Sequence, residues 1–481
     1  MGSGAVLAID QGTSGTKAIV VDAAGAVLGH AELELRPQYL PGGGVEQDPA
    51  ALLDSVVEAG RQALRESRTD VDAVALANQG ETVLAWDPDT GRPLSPAIVW
   101  QDRRSAELCA ELDGHRAAVA DATGLVLDPY FSAPKMAWLR GHITTEGVVT
   151  TTDTWLLHAL SGEFVTDPTT ASRSLLLDID AADWDRGLLS LFGLAAERLP
   201  AIVGCDEVVG STSVFGGEVT VGGVIVDQQA ALLAESCVRP GEAKCTFGTG
   251  AFLLANIGDR AVRSRAGLTT SIAWRTTRGD SAYCVDGQIY TAASAIRWLI
   301  DLGLITGADE LDRADQGSAG VVFVPALAGL AAPWWRSEAT ASVSGMTLST
   351  RREHIVAAVL EGIAAQVAEL TDVIASDLGR PLQALRVDGG LTRSRVLMQA
   401  VADLTQLPVE LYPSPHATAL GAAALGRLAA DPGLTLTEAI VPWSVAGRFE
   451  PRWSVDRAAE FRGRWRTLAD QSLERSAEAS S

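Results

Sequence analysis

The sequence is short of the residues that would staple it or hold a metal. Five cysteines (Cys109, Cys205, Cys237, Cys245, Cys284) occur in 481 residues, an odd number with no CxxC spacing. That excludes a disulfide framework and leaves reduced, mostly buried thiols as the expectation. Six histidines show no HxxxH or HExxH spacing, so no zinc site is expected. Positive charge is scarce too. Lys and Arg number 38 against 60 Asp and Glu, for a formal net charge of -22. The phosphate field of nucleic acid or anionic lipid repels such a chain, so neither is an expected partner. Apolar runs are short. The longest, VFVPALAGLAAPWW (322–335), is broken by Pro325, Gly329 and Pro333, below the roughly 20 residues that span a bilayer. The opening MGSGAVLAID has no basic n-region or apolar segment, and Val6 breaks the myristoylation pattern. The expectation is a soluble, cytoplasmic protein.

What is present is an ordinary globular composition, 47% apolar and 20% charged. The length exceeds one core, so two or three domains are expected. Strands and helices alternate, which makes the class α/β. Residues 51–66 have apolar spacing for a helix, and DAVALAN (72–78) reads as a short buried strand. Residues 82–100 read as a hairpin around Asp-Pro-Asp-Thr-Gly, and 104–112 as helical. Later, 384–404 reads as strand, Asp-Gly-Gly, helix. TALGAAALGRLAA (418–430) reads as a small-residue helix for close packing. Residues 456–473 read as a terminal helix, followed by a disordered SAEASS tail. No low-complexity linker separates the halves, so the domains are expected to meet at a cleft.

The chemistry gathers in glycine turns. AIDQGTSGTKAIVVD (8–22) sets two apolar runs around a turn carrying two glycines, three hydroxyls, a carboxylate and a lysine. EAKCTFGTGAFLLA (242–255) echoes it half a chain later. Such an echo suits a duplicated domain, and chance recurrence of Gly-Thr turns produces it equally well. Glycines let backbone approach a phosphate and hydroxyls add donors. Three turns qualify: Gly12–Lys17, Gly248–Gly250 and Gly389–Gly390. None is a Walker A loop or a dinucleotide fingerprint. Each alone is a tight turn or a phosphate site. Asp10, ending a strand before the first turn, is either a turn-initiating residue or a magnesium ligand. Asp227, between an apolar strand and a helix in GGVIVDQQAALLAE, is either a helix cap or a general base.

Ten segments in order, AIDQGTSGTKAIVVD, ANQGETVLAWDPDTG, IVWQDRR, TGLVLDPYFSAPK, TDTWLL, TDPTTASRSLLLDI, VDQQAALL, AKCTFGTGAF, RVDGGLTRSRVLMQ and ATALGAAALG, resemble the FGGY carbohydrate kinases, and within them the glycerol kinases. The resemblance covers about residues 5–430. It implies the duplicated actin-like (ribonuclease H-like) ATPase fold, with ATP and a polyol or sugar bound in the cleft between two domains. The domains implied are 1–238 (acceptor binding, first phosphate loop, catalytic Asp), 239–430 (nucleotide binding) and a helical segment with tail, 431–481. Relatives form homodimers and homotetramers, so either is possible here. By this resemblance the first phosphate loop holds Thr13, Ser14 and Lys17, and Asp10 positions Mg2+. Thr249 and Gly250 belong to the second loop. Ala293, Arg297, Gly390 and Ser394 stand at nucleotide positions, three of them departures: Ala293 for Gly, Arg297 for Gln, Ser394 for Asn. Asp227 is the implied general base. The acceptor pocket implied is Gly80, Glu81, Trp100, Tyr130, Asp227, Gln228 and Phe252.

One departure bears on the acceptor. Where the glycerol kinases carry Arg before the pocket Glu, this chain has Gly80. Losing a guanidinium removes donors and volume. A roomier pocket is expected, fit for a four- or five-carbon polyol such as erythritol, threitol or ribitol, or a ketose such as xylulose. Arg103 or Arg104 standing in as the donor would restore glycerol, and glycerol, phosphorylated to glycerol 3-phosphate, is the single reaction most expected. A catalytically dead nucleotide-binding sensor is the reading from another class; the retained Asp10, Glu81 and Asp227 argue against it. The stretch VFGGEVTVGG (214–223) stands where some glycerol kinases bind a sugar bisphosphate through Lys and Arg. It has neither, so feedback by that route is not expected.

Overall fold

The computed structural model describes residues 4–314 and 316–479. The opening hairpin pairs Val6–Gly12 with Gly15–Val21, in register from Val6↔Val21 to Gly12↔Gly15. The loop is therefore only Thr13-Ser14. Asp10, Gln11, Thr16 and Lys17 are strand residues, with Asp10 directly opposite Lys17. The eight-residue turn expected from composition is a two-residue turn with its chemistry on the strand ends.

Two sheets repeat one plan. In the first, strands 6–12, 15–21 and 27–34 form an antiparallel meander, and 73–78 then 219–226 add in parallel beside 6–12. In the second, 243–247, 251–258 and 281–289 form the meander, and 385–388 then 409–411 add in parallel beside 243–247. The second glycine turn, 248–250, joins the same pair of meander strands as Thr13-Ser14 does in the first sheet. The echo in the sequence is a duplication of topology.

Parallel neighbours need crossover helices. Pro49–Ser67, capped by the Asp48 side chain, crosses in the first half. Arg352–Leu378 and Arg395–Thr405 cross in the second. Arg352–Leu378 is long and apolar enough to cross a membrane, but 83% of its most apolar window is buried in the protein core. The second half's core gathers around it (Val359, Leu360, Ile363, Val367).

Helices Asp227–Ala234 and Ala417–Ala430 lie between the sheets and pack on each other. Ala417–Ala430 follows the second sheet in sequence but covers the first, resting on strands 6–12, 73–78 and 219–226. Its glycines make this possible. A β-carbon on Gly421 would lie 1.9 Å from the Ala230 carbonyl oxygen. Close packing expected of this helix thus joins the two halves. The terminal helix runs Val455–Ala479, packing Phe461, Trp465 and Leu468 into the second core. The disordered tail expected from 476 is helical to Ala479, and its last two residues lie outside the described residues. All five cysteines are free and buried.

Candidate active site

A cavity of about 310 Å³ opens between the two halves. Asp10, Thr13, Ser14, Lys17, Gly80, Glu81, Trp100, Tyr130, Asp227 and Gln228 enter from the first half, and Thr249, Gly250 and Phe252 from the second. Thirteen of the expected site residues are thus brought together by topology. The other four lie outside this cavity. Ala293 opens a helix whose first amide donates to the Gly248 carbonyl at 3.0 Å, and Arg297 is exposed one turn on. Gly390 is exposed. The Ser394 hydroxyl caps helix Arg395–Thr405, accepting from Leu397 N at 3.2 Å and donating to Asp312 at 3.0 Å.

The wall on the first half is rigid. Trp100 Nε1 donates to Thr13 Oγ1 at 2.8 Å, and Thr13 donates to Gln79 at 3.1 Å. Trp100 meets Tyr130 at 5.4 Å and Phe252 at 6.0 Å between ring centroids. Lys135, buried, donates to three successive carbonyls, Pro129, Tyr130 and Phe131 at 3.0, 2.5 and 2.6 Å. An ammonium has three donors and a neutral amine two, so this cage favours the charged form against burial, which lowers the Lys135 pKa to about 7, and fixes the turn that carries Tyr130.

Glu81 has left-handed backbone, φ +59°. Such strain in a residue with a β-carbon persists only where surroundings over-determine it. They do. Glu81 accepts from Arg173 Nε at 2.5 Å, and Arg173 Nη1 donates to Asp286 of the second half at 2.8 Å. The guanidinium lies 5.8 Å from the Tyr130 ring and 5.4 Å from Phe131. All three charged side chains are buried.

This corrects one expectation. Neither Arg103 nor Arg104 lines the cavity. Arg103 pairs with Asp128 at 3.1 Å, while Arg104 pairs with Asp102 and Glu46 and stacks on Trp138. The guanidinium is Arg173, which lines the cavity. A β-carbon at Gly80 would lie 2.9 Å from Val226 Cγ2 and meet no other atom within 4 Å, so Val226 crowds one side of a position that otherwise faces the cavity. Arg173 and Asp286 have a sequence signal after all. Each is a lone charge in an otherwise small or apolar buried segment, ASRSLLL and YCVDGQI, and lone buried charges of opposite sign call for one another.

Asp227 occupies the first turn of helix Asp227–Ala234, with Val226 at the cap position. Its Oδ1 accepts from Gln228 N at 2.6 Å. Gln228 in turn accepts from Lys244 Nζ at 2.6 Å, which also reaches Thr246 at 2.7 Å. Desolvation raises the Asp227 carboxyl above its ordinary range, against the pull of Lys244 and Arg173. Desolvation, then the Asp227 charge, pushes Asp10 to about 7. Asp388, also raised by burial, adds to that repulsion. A strand-end carboxylate raised toward neutral beside two others is a place short of a cation. No group of three or more His, Cys, Asp or Glu forms a self-sufficient metal site among the described residues.

The family model for the N-terminal domain of the FGGY family of carbohydrate kinases matches residues 5–234, and that for the C-terminal domain matches 243–430. The chain belongs to the FGGY family of carbohydrate kinases. It is a phosphotransferase that uses ATP on an alcohol group. A glycerol kinase from Bordetella parapertussis is 42% identical, covering 97% of each chain. One from Gloeobacter violaceus is 44% identical over 88% of this chain and 87% of its own. The solved structure of Plasmodium falciparum glycerol kinase with ADP is similar at 33% identity and a TM-score of 0.90, covering 98% of both chains. Ligand-bound xylulose kinase from Lactobacillus acidophilus, at 20% identity and a TM-score of 0.86 over 99% of each chain, shares the actin-like two-domain fold.

Proposed function

We propose that this kinase transfers the γ-phosphoryl group of ATP to a hydroxyl of a small polyol, with glycerol the first acceptor. The observation that carries the reading is Asp227, desolvated on the cavity wall between the two glycine turns and within the field of Glu81 and Asp10. The relatives near 40% identity are glycerol kinases, which favours the three-carbon acceptor.

The acceptor lies against Glu81, Trp100, Tyr130 and Phe252. Asp227 accepts the hydroxyl proton as that oxygen forms its bond to the γ-phosphorus. The bridging P–O bond breaks, ADP leaves with its electron pair, and the proton stays on the carboxylate until solvent takes it. Positioning and charge stabilisation supply most of such a reaction. The turns Thr13-Ser14 and Gly248–Gly250 offer main-chain donors to the phosphates, with Lys17 beside them. Asp10 fits Mg2+, which is ordinarily held by one or two carboxylates and the phosphates themselves. An ion held there would supply neutralising charge to the phosphates. Ala293, Arg297, Gly390 and Ser394 take the adenosine side.

The test is ADP release with Mg-ATP over glycerol, erythritol, D- and L-threitol, ribitol, xylitol, D-xylulose and dihydroxyacetone. Saturable turnover best on glycerol, absent in Asp227→Asn, is expected. Best turnover on a four- or five-carbon acceptor would overturn the three-carbon assignment and leave the kinase reading standing.

A further inference from the structure

Among the described residues, Arg173 is the one cation whose side chain bonds Glu81. It stands in the turn after the short helix Pro168–Ala171, remote in sequence from Glu81. Two of its nitrogens are committed: Nε to Glu81 and Nη1 to Asp286. Nη2 has no hydrogen-bond partner among the described residues, and the residue lines the cavity. Its two carboxylates come from different halves of the molecule. Ser172, next to it, accepts from Ile272 N of the second half at 3.0 Å. The guanidinium is therefore held from both sides and cannot rotate away. A fork fixed at two corners presents its third to the cavity with little conformational entropy left to lose.

Position 80 is a glycine and supplies no cation. Val226 Cγ2 stands 2.9 Å from where a side chain would begin, and Val226 is itself anchored, its amide donating to Thr169 at 2.9 Å. Among the described residues the other cation lining the cavity is Lys17, across the hairpin from Asp10, while Lys244 is not in the lining and its ammonium is held by Gln228 and Thr246.

We propose that Arg173 is a specificity-determining residue of this kinase, donating through Nη2 to one hydroxyl of the polyol acceptor while Glu81 accepts from it or its neighbour. This rests on the preceding assignment of the cavity to the acceptor. A pocket built to hydrogen-bond a hydroxyl rejects an analogue lacking it by large factors, because its buried polar groups are left unpaired. Removing the fork removes the rejection.

The test compares kcat/KM for glycerol, or whichever polyol the wild-type protein turns over best, with that for each analogue lacking one hydroxyl. For glycerol these are 1,2-propanediol and 1,3-propanediol. The wild-type protein is expected to reject at least one analogue by about 100-fold or more. In Arg173→Lys, which keeps the charge and loses the fork, that ratio is expected to fall to about tenfold or less. The loss should come from a higher acceptor KM, with the KM for ATP within about twofold. A merely structural role would move both KM values or neither. An unchanged ratio in an Arg173→Lys protein that still binds ADP overturns the proposal. Should that variant fail to fold, Asp286→Asn keeps Arg173 and releases one corner of the fork. An acceptor KM raised about fivefold with the ATP KM unchanged supports the proposal, and an unchanged acceptor KM overturns it. A wild-type protein that binds ADP and turns over no polyol overturns the acceptor assignment and this inference together. Turnover without the loss of discrimination overturns this inference alone.

Discussion

On the side of the cleft proposed for ATP, Thr13-Ser14 and Gly248–Gly250 present main chain on two hairpin turns. On the side proposed for the acceptor, Glu81, Arg173 and Asp286 present side chains that hold one another. The first arrangement is local. A turn between paired strands needs only the right few residues in a row, and the chain makes it twice. The second is assembled from residues 81, 173 and 286, which only the finished fold brings within 3 Å. A family can therefore keep its phosphate side by keeping short motifs. It can change its acceptor by exchanging single charges far apart in sequence.

That contrast can be broken or sharpened. The largest effect belongs to Asp227, where the two sides meet. Asp227→Asn is expected to lower kcat by roughly 10²- to 10⁴-fold while ADP affinity changes less than about twofold. Because the base must be ionised and desolvation raises its pKa, kcat/KM of the wild-type protein should fall with decreasing pH above the ordinary carboxylate range. A pH-rate profile flat down to pH 4 would contradict this. Next is Lys135. Lys135→Met strands three buried carbonyls beneath Tyr130, so chemical denaturation should show a loss of about 3 kcal/mol. The acceptor KM should rise more than the ATP KM. Gly80→Arg comes third. Crowding against Val226 is expected to cost about 1–3 kcal/mol and to raise the KM for every acceptor, leaving that for ATP nearly unchanged. The smallest is Ser394→Ala on the nucleotide side. It removes a helix cap worth about 1 kcal/mol of stability. With its hydroxyl already committed to Leu397 and Asp312, the ATP KM should change by less than about twofold.

The same contrast explains what the sequence disclosed. The duplicated α/β plan, the glycine turns and the strand-end carboxylates were legible because each is a local pattern. The length of the first turn was misjudged. Lys17 looks like a loop residue by type, and only the pairing of Gly12 with Gly15 shows that it faces Asp10 across two strands. Composition alone points to disorder from 476, yet the helix continues to Ala479. Arg103 and Arg104 were the candidate cations because they lie near Trp100 in sequence. The fold spends both on Asp128, Asp102 and Glu46. Arg173 lies within TDPTTASRSLLLDI, where nothing local says which residue it faces. Val226 was legible only as one more apolar strand residue. That its methyl lies over Gly80 is a fact of two strands, 73–78 and 219–226, running side by side.

The most direct measurement of the central claim is phosphorus NMR of the protein with Mg-ATP and glycerol. The account predicts a phosphomonoester resonance that grows in step with ADP, and its absence from the Asp227→Asn protein. ATP loss that yields only inorganic phosphate, or the same ester from the Asp227→Asn protein, would contradict it.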